Sequence, residues 1–188
     1  MRKRLFIVTG SPGIGKTTVL LKMIDLLKNE GYSIGGMMSR EARVAGTRIG
    51  FELSDVGEGK KGWLARVDQK EGPRVGKYRV NLEGLEGVGA NAILNAIVHS
   101  DVIVIDEVGP MELFSDQFVH AVLKAIESNK PVICTVHWKI RNELSDRLEQ
   151  REDAETYVVN MQNRDRLHEL LAERTGELLG RSKPNKEL

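Results

Sequence analysis

Gly10-Ser11-Pro12-Gly13-Ile14-Gly15-Lys16-Thr17 is the stretch whose reading decides the fold of this chain. It matches the phosphate-binding P-loop pattern G-x-x-x-x-G-K-[ST] at every fixed position. Before it runs the short apolar segment Leu5-Phe6-Ile7-Val8. After it, Val19, Leu20, Met23, Ile24 and Leu27 recur at helical spacing to about Glu30, and Gly31 stands where a C-terminal cap belongs. Strand, glycine loop, helix is the context that gives the pattern its meaning. The glycines let the backbone bend around a phosphate and turn several N–H groups inward. The positive end of the following helix adds attraction for the anion. Lys16 is expected to reach the β- and γ-phosphates, and the Thr17 hydroxyl to bind magnesium.

With 188 residues, one domain over 1–180 is the default, followed by a polar tail, 181–188, expected to be loose. Lys plus Arg is 28 and Asp plus Glu is 27, a formal net charge of +1. That balance argues against a protein that coats nucleic acid by charge alone. Cys134 is the single cysteine, which excludes an internal disulfide and suits a reducing interior. Met1-Arg2-Lys3-Arg4 and the apolar run after it look like a signal peptide only until Gly10, where the run breaks too early. No stretch is long enough to cross a membrane. A cytoplasmic monomer without a membrane partner is the expectation.

Further along, apolar runs alternate with helical patterns. Tyr32 to Ser39 is predicted as a second strand, although Gly35-Gly36 weakens it. About 40–82 is richer in Gly, Arg and Lys and contains short alternating pieces: Thr47 to Leu53, Gly62 to Val67 and Gly76 to Leu82, with a turn over Asp55 to Lys61. These predict an antiparallel hairpin-like insertion on the sheet edge. Helices are predicted over Glu83 to His99, Ser115 to Ser128 with Ser115 as cap, Ile140 to Gln150, and Arg164 to Leu179 with Leu167, Leu170, Leu171 and Leu178 facing inward. Strands are predicted over Asp101 to Asp106, Pro131 to Val136 and Ala154 to Asn160. The pattern predicts an α/β three-layer sandwich, a mostly parallel central sheet covered on both faces. Ligands in such sheets bind beyond the C-terminal strand ends.

Asp106-Glu107 ends the apolar run Val102-Ile103-Val104-Ile105 and has the form of a Walker B segment. A carboxylate there holds magnesium opposite Thr17, usually through water. Glu107 then serves to orient and polarise an attacking water. A base for water is what hydrolases of the additional-strand branch need. In that branch the strand after Walker B is inserted beside the P-loop strand; here that strand is Pro131 to Val136, and Thr135 or His137 at its end are candidate γ-phosphate sensors.

With Gly10 to Thr17 and Asp106-Glu107-Val108-Gly109-Pro110-Met111-Glu112-Leu113 both in view, the chain resembles the small nucleoside-triphosphatases first described from thermophiles, whose relatives include the cancer-related nucleoside-triphosphatase. The resemblance continues through Arg48-Ile49-Gly50-Phe51, Val75-Gly76-Lys77-Tyr78 and Asn163-Arg164, and covers the chain to about residue 180. It implies a P-loop fold that hydrolyses ATP, GTP and other nucleoside triphosphates to diphosphate and phosphate with magnesium. Its nucleotide-binding segments map onto Gly10 to Thr17, with Thr18 directly after, and about Val102 to Gly109 through Val108.

Other candidates are less specific. Glu112 either orders the water or leads a helix as a solvated acid. Arg40, Arg43 and Arg48 either clamp phosphate or protect a hairpin edge by charge. Asn163 and Arg164 follow the last strand, where a base or ribose would lie, yet Asn163 fits a helix start equally well. Trp63 and Trp138 are expected to pack, and Cys134 to be a small buried hydrophobe. His99, His120 and His168 lack metal-ligand spacing. Two alternatives remain open: a small-molecule kinase whose 40–82 insertion binds an acceptor, and a nucleotide-switched module acting on RNA or a protein.

Overall fold

A computed structural model describes residues 2–139 and 142–180. The expected loose tail, and the start of the helix predicted from Ile140, lie outside the described residues. Along the chain the strands are β1 (Leu5–Thr9), β2 (Ile34–Val44), β3 (Thr47–Asp55), β4 (Lys61–Arg66), β5 (Arg74–Val75), β6 (Tyr78–Val80), β7 (Val102–Val108), β8 (Val132–Val136) and β9 (Ala154–Val158). The helices are α1 (Lys16–Asn29), the short α2 (Leu82–Gly84) running through a π-helical turn (Leu85–Ala90) into α3 (Asn91–His99), then α4 (Asp116–Glu127), α5 (Glu143–Glu149) and α6 (Leu167–Leu179).

All nine strands form one sheet, ordered β5-β6-β4-β3-β2-β7-β8-β1-β9. The half from β2 to β9 is parallel, and the half from β2 to β5 is antiparallel. β8 lies between β1 and β7, as the additional-strand branch requires. The chain has the expected α/β P-loop fold.

Alternation assigns each side chain to a layer. Leu5 and Ile7 of β1, Ile103 and Ile105 of β7, and Val132 and Cys134 of β8 pack with α3 and α4. Phe6 and Val8, Val102 and Val104, and Ile133 pack with Leu20, Met23 and Leu27 of α1 and with Leu171 of α6. Continuing the same count, Asp106 and Thr135 fall on the α1 face. That is the face the P-loop covers.

Several boundaries differ from expectation; β7, for one, runs to Val108 rather than Asp106. β2 does not stop at Ser39 but continues through Val44, so the expected antiparallel hairpin on the sheet edge grows directly out of a core strand. Its outer half is polar, which hid it from a search for apolar runs. β9 ends at Val158, and α6 begins at Leu167 rather than Arg164. Between them Asn163 closes a loop: its side chain accepts from Asn160 N and donates to Val158 O. Asn163 is therefore not the cap of α6. α5 starts at Glu143 behind a capping box formed by Asn142 and Ser145. Leu170 is 39% exposed and Trp138 48% exposed, so neither is the packing residue expected. Cys134 is fully buried, and Ser115 does cap α4 by accepting from Phe118 N.

Gly36 controls how closely β2 approaches β7. It has φ +116°, and a Cβ there would lie 2.0 Å from the Val104 carbonyl oxygen. Gly36→Ala is expected to destabilise the fold by about 3 kcal/mol or more, since neither the backbone angle nor the strand spacing tolerates the methyl. Urea unfolding of the variant checks this; a midpoint equal to that of the native chain contradicts it.

Candidate active site

The P-loop runs from the end of β1 into α1. Gly15, the residue before the helix, has φ +115°, a left-handed conformation that keeps the loop curved while α1 starts at Lys16. No side chain caps the first turn of α1, so its N–H groups stay available to an anion. Lys16 Nζ donates to the Gly10 carbonyl at 3.0 Å and lies 4.0 Å from Glu107 Oε2.

Asp106 stands opposite at the end of β7, 1% exposed. Both of its oxygens accept hydroxyl hydrogens: Oδ2 from Thr17 at 2.9 Å and Oδ1 from Thr135 at 2.6 Å. Burial pushes its carboxyl up to about 6, against the pull of these two hydrogen bonds. Thr135 therefore faces Asp106 and is fully buried, while His137, two residues further and just past the end of β8, lines the open cavity. Burial, then the Lys16 charge, lower the His137 imidazole below its ordinary value.

Glu107 follows across a cis peptide and opens toward the P-loop, its side chain 26% exposed. Burial raises its carboxyl above the ordinary value, and Lys16 opposes that shift. Glu112 is not the solvated acid that was one expectation. It sits in the 3₁₀ turn Glu112–Phe114, buried, with its carboxyl pushed up to about 8 mainly by loss of water. A Cβ on Gly109 would lie 3.0 Å from Glu112 Oε2 and 3.1 Å from Glu107 Oε1, so the two carboxyl groups converge there.

These groups open onto a cavity of about 630 Å³. Pro12, Gly13, Gly15, Lys16, Thr17 and Thr18 form one end, and Glu107, Glu112 and His137 the middle. The far wall comes from the extended hairpin: Arg40, Glu41, Arg48, Phe51 and Leu64. Gly10, Ser11 and Ile14 belong to the loop but do not line the cavity; Gly109 shapes the turn beneath it. Val102, Ile103, Val104, Ile105 and Val108 are fully buried, so their part is to carry Asp106 and Glu107 rather than to touch a ligand. Asn163 and Arg164 lie after β9 and do not reach this cavity. Glu41 and Leu64 also line it and were not singled out from the sequence; Phe51 and Met111, which line it too, appeared there only within the segments that carry the family resemblance.

Arg48 is held in place. Nε donates to the Tyr78 hydroxyl at 2.7 Å, Nη1 donates to Glu41, and the guanidinium lies 5.3 Å from the Phe51 ring centroid. The Tyr78 hydrogen bond, then Glu41, raise its already high pKa further.

The donors at the loop end are oxygens: one carboxylate and one hydroxyl. Among the described residues no cluster of three His, Cys, Asp or Glu side chains could hold a metal alone. One carboxylate and one hydroxyl suit a hard cation that completes its shell with phosphate and water.

Loop, helix start and acidic strand end, with a strand inserted between them, define a P-loop nucleotide-binding protein. A family model described as NTPase matches residues 5–172. The nucleoside-triphosphatase THEP1 of Thermofilum pendens is 47% identical over 96% of this chain and all of its own length. That of Methanosarcina acetivorans is 46% identical over 92% of this chain and 97% of its own. The crystal structure of THEP1 from Aquifex aeolicus superposes with a TM-score of 0.81 at 29% identity, covering 91% of this chain and 98% of that one. The solution structure of a human cancer-related nucleoside triphosphatase does so at 0.77 and 32%, covering 97% of this chain and all of that one. The chain belongs to this nucleoside-triphosphatase family.

The buried Glu112 gives a pH signature. An unfolded glutamate ionises near 4.5, whereas the folded one holds its proton to about 8. Between those values the unfolded chain has released a proton that the folded chain keeps, so stability falls as pH rises. Glu112→Gln removes this dependence. Its melting temperature relative to the native chain is expected to rise between pH 5 and pH 8, by an amount equivalent to a few kcal/mol at most. A relative melting temperature that falls over that range contradicts the assignment.

Proposed function

We propose that the chain cleaves the γ-phosphate of nucleoside triphosphates with magnesium and water, giving diphosphate and phosphate, with broad tolerance of the base. The observation that carries this is Glu107. Its carboxylate stands beside the Asp106 pair, 4.0 Å from Lys16 Nζ, and faces the cavity rather than the core.

Thr17 and Asp106 would hold the magnesium ion, whose oxygen-donor needs they fit. When bound, the ion would supply positive charge against the phosphate oxygens as the bond breaks. The chain's own groups supply the rest. Loop N–H groups and Lys16 hold the phosphates and take up charge that develops as the bond breaks. Glu107 accepts a hydrogen bond from a water aimed at the γ-phosphorus and takes its proton as the new bond forms. The bond from phosphorus to the β–γ bridging oxygen breaks, and the diphosphate leaves. Thr135 orients Asp106, and Glu112 supports Glu107. The cavity presents its polar groups to phosphates, and no residue of the loop after β9 enters it, which favours base tolerance.

We take residues 1–180 as one working unit and propose a monomer in the cytoplasm. Among the described residues no helix is long and apolar enough to cross a membrane.

Glu107→Gln preserves shape and removes the base. Phosphate release from magnesium-ATP or magnesium-GTP is expected to fall about 10²- to 10⁴-fold, with triphosphate affinity changed only a few-fold. Steady-state phosphate release and equilibrium binding of a non-hydrolysable analogue check the two halves. Unchanged turnover would remove Glu107 from the chemistry.

A further inference from the structure

Two arginines of the hairpin line the cavity, and the strands give them different surroundings. Arg48 is engaged by Tyr78 and Glu41, and its neighbours Tyr78 and Phe51 belong to the core layer on the α3 side of the sheet. Arg43, three positions from Arg40, is engaged by Glu41 and the Gly46 carbonyl and does not line the cavity. Arg40 is exposed, and none of the hydrogen bonds or ion pairs among the described residues restrains it. Its cross-strand neighbour on β3 is Glu52, and no ion pair joins the two among those contacts. Protection of a sheet edge does not account for this charge, because β2 is an interior strand between β3 and β7.

Register sets where Arg40 stands. In the parallel ladder of β2 and β7, Met38 pairs with Asp106, and Met38 packs into the layer on the α1 side. Two residues on, alternation returns Arg40 to that same face. The irregularity in β2 falls later, between Ala42 and Arg43, so the count is undisturbed. Arg40 is therefore one strand over from Asp106, about 4.8 Å sideways, and about 6.6 Å further toward the C-terminal strand ends. On this face Thr17 closes over Asp106, and Lys16, Thr17, Glu107 and Arg40 line one cavity. The order β2-β7-β8-β1 puts the acidic pair of β7 between the two cations, with the P-loop lysine on one side and Arg40 on the other.

We infer that Arg40 is a catalytic residue: its guanidinium donates hydrogen bonds to the non-bridging γ-phosphate oxygens and stabilises the transition state, an arginine that the chain supplies to its own site. The inference rests on γ-phosphate cleavage as the reaction. Charge spreads over those oxygens as the bond breaks, and a planar guanidinium matches two of them at once. Lys16 and the loop amides meet the phosphates from the P-loop side, and Arg40 meets them from the hairpin side. Arg40 gives up no proton. The water oxygen bonds to the γ-phosphorus, its proton passes to Glu107, and the electron pair of the breaking bond leaves with the diphosphate. Having no resting partner, Arg40 breaks no ion pair to engage. Its backbone is fixed because β2 is paired with β7 up to Met38 and with β3 beyond it.

The test compares Arg40→Ala and Arg40→Lys with the native full chain on magnesium-ATP and magnesium-GTP. Melting temperatures are expected to match, because the position is exposed and unrestrained. Arg40→Ala is expected to lower kcat for phosphate release at least about 10²-fold, while equilibrium binding of a non-hydrolysable triphosphate analogue changes by no more than about threefold. Arg40→Lys keeps the charge without the fork and recovers only part of the rate. Two readouts report contact with the reacting phosphate. Guanidinium ion at a low, non-denaturing concentration is expected to raise turnover of Arg40→Ala and not that of the native chain. Magnesium diphosphate with aluminium fluoride, a mimic of the planar γ-phosphoryl group, is expected to bind the native chain at least about tenfold more tightly than Arg40→Ala. Arg43→Ala is expected to keep native turnover, and a loss equal to that of Arg40→Ala overturns the inference. Native turnover in Arg40→Ala also overturns it and leaves hydrolysis standing. So does weakened triphosphate binding with kcat unchanged, which makes Arg40 a clamp on the bound substrate alone. A native chain that releases no phosphate from any triphosphate overturns both readings.

Discussion

The carboxylate of Asp106 is the constraint on which the rest of the structure depends. It is buried at a strand end and accepts hydroxyls from two other elements, Thr17 in the first turn of α1 and Thr135 on β8. An unpaired carboxylate in that position would be costly. The two hydroxyls lower that cost by hydrogen bonding both oxygens. Only the order β7-β8-β1 allows this. With β8 between the two motif strands, Thr135 comes alongside Asp106 while Thr17 reaches it from above the sheet. The inserted strand is thus part of the site and not merely a topological marker.

Around that carboxylate the chain keeps groups in states that folding alone would not favour. Asp106, Glu107 and Glu112 all have raised carboxyl pKa values, each mainly through burial. Lys16 is the nearby cation, and it rests on the Gly10 carbonyl. Such concentration of acid in a cleft marks a site that gives up stability for chemistry. The rest of the fold makes good the loss. Both faces of the sheet carry continuous apolar cores, and α1 is anchored by five buried side chains directly behind the P-loop.

Much of this was legible in the sequence because local patterns and global fold agree there. The P-loop has fixed spacing, and β1, β7 and β8 are apolar on both faces. Alternation along β7 and β8 then puts Asp106 and Thr135 on the P-loop side. Legibility failed where a residue's environment is set by distant partners. The outer half of β2 looks polar, yet it pairs fully with β3 through the hairpin. Glu112 reads equally as a group that orders the water and as a solvated acid, and only the turn that folds it under Gly109 buries it. Arg48 reads as one charge among several on an edge, until Tyr78, thirty positions away, fixes it against the cavity. Leu170 keeps helical spacing but lies at the rim of the face that α6 presents to α1.

The antiparallel half of the sheet joins these themes. It continues a core strand, so its wall is rigidly related to the P-loop and to the acidic pair. The cavity it encloses is lined by the P-loop, by Glu107 and Glu112, and by Arg40 and Arg48. The central claim is that this arrangement directs water to the γ-phosphorus. Hydrolysis in ¹⁸O-labelled water, with magnesium and no added acceptor, tests it most directly. One solvent oxygen in each released phosphate and none in the diphosphate is the predicted result. Solvent oxygen in the β-phosphate of the diphosphate would contradict it.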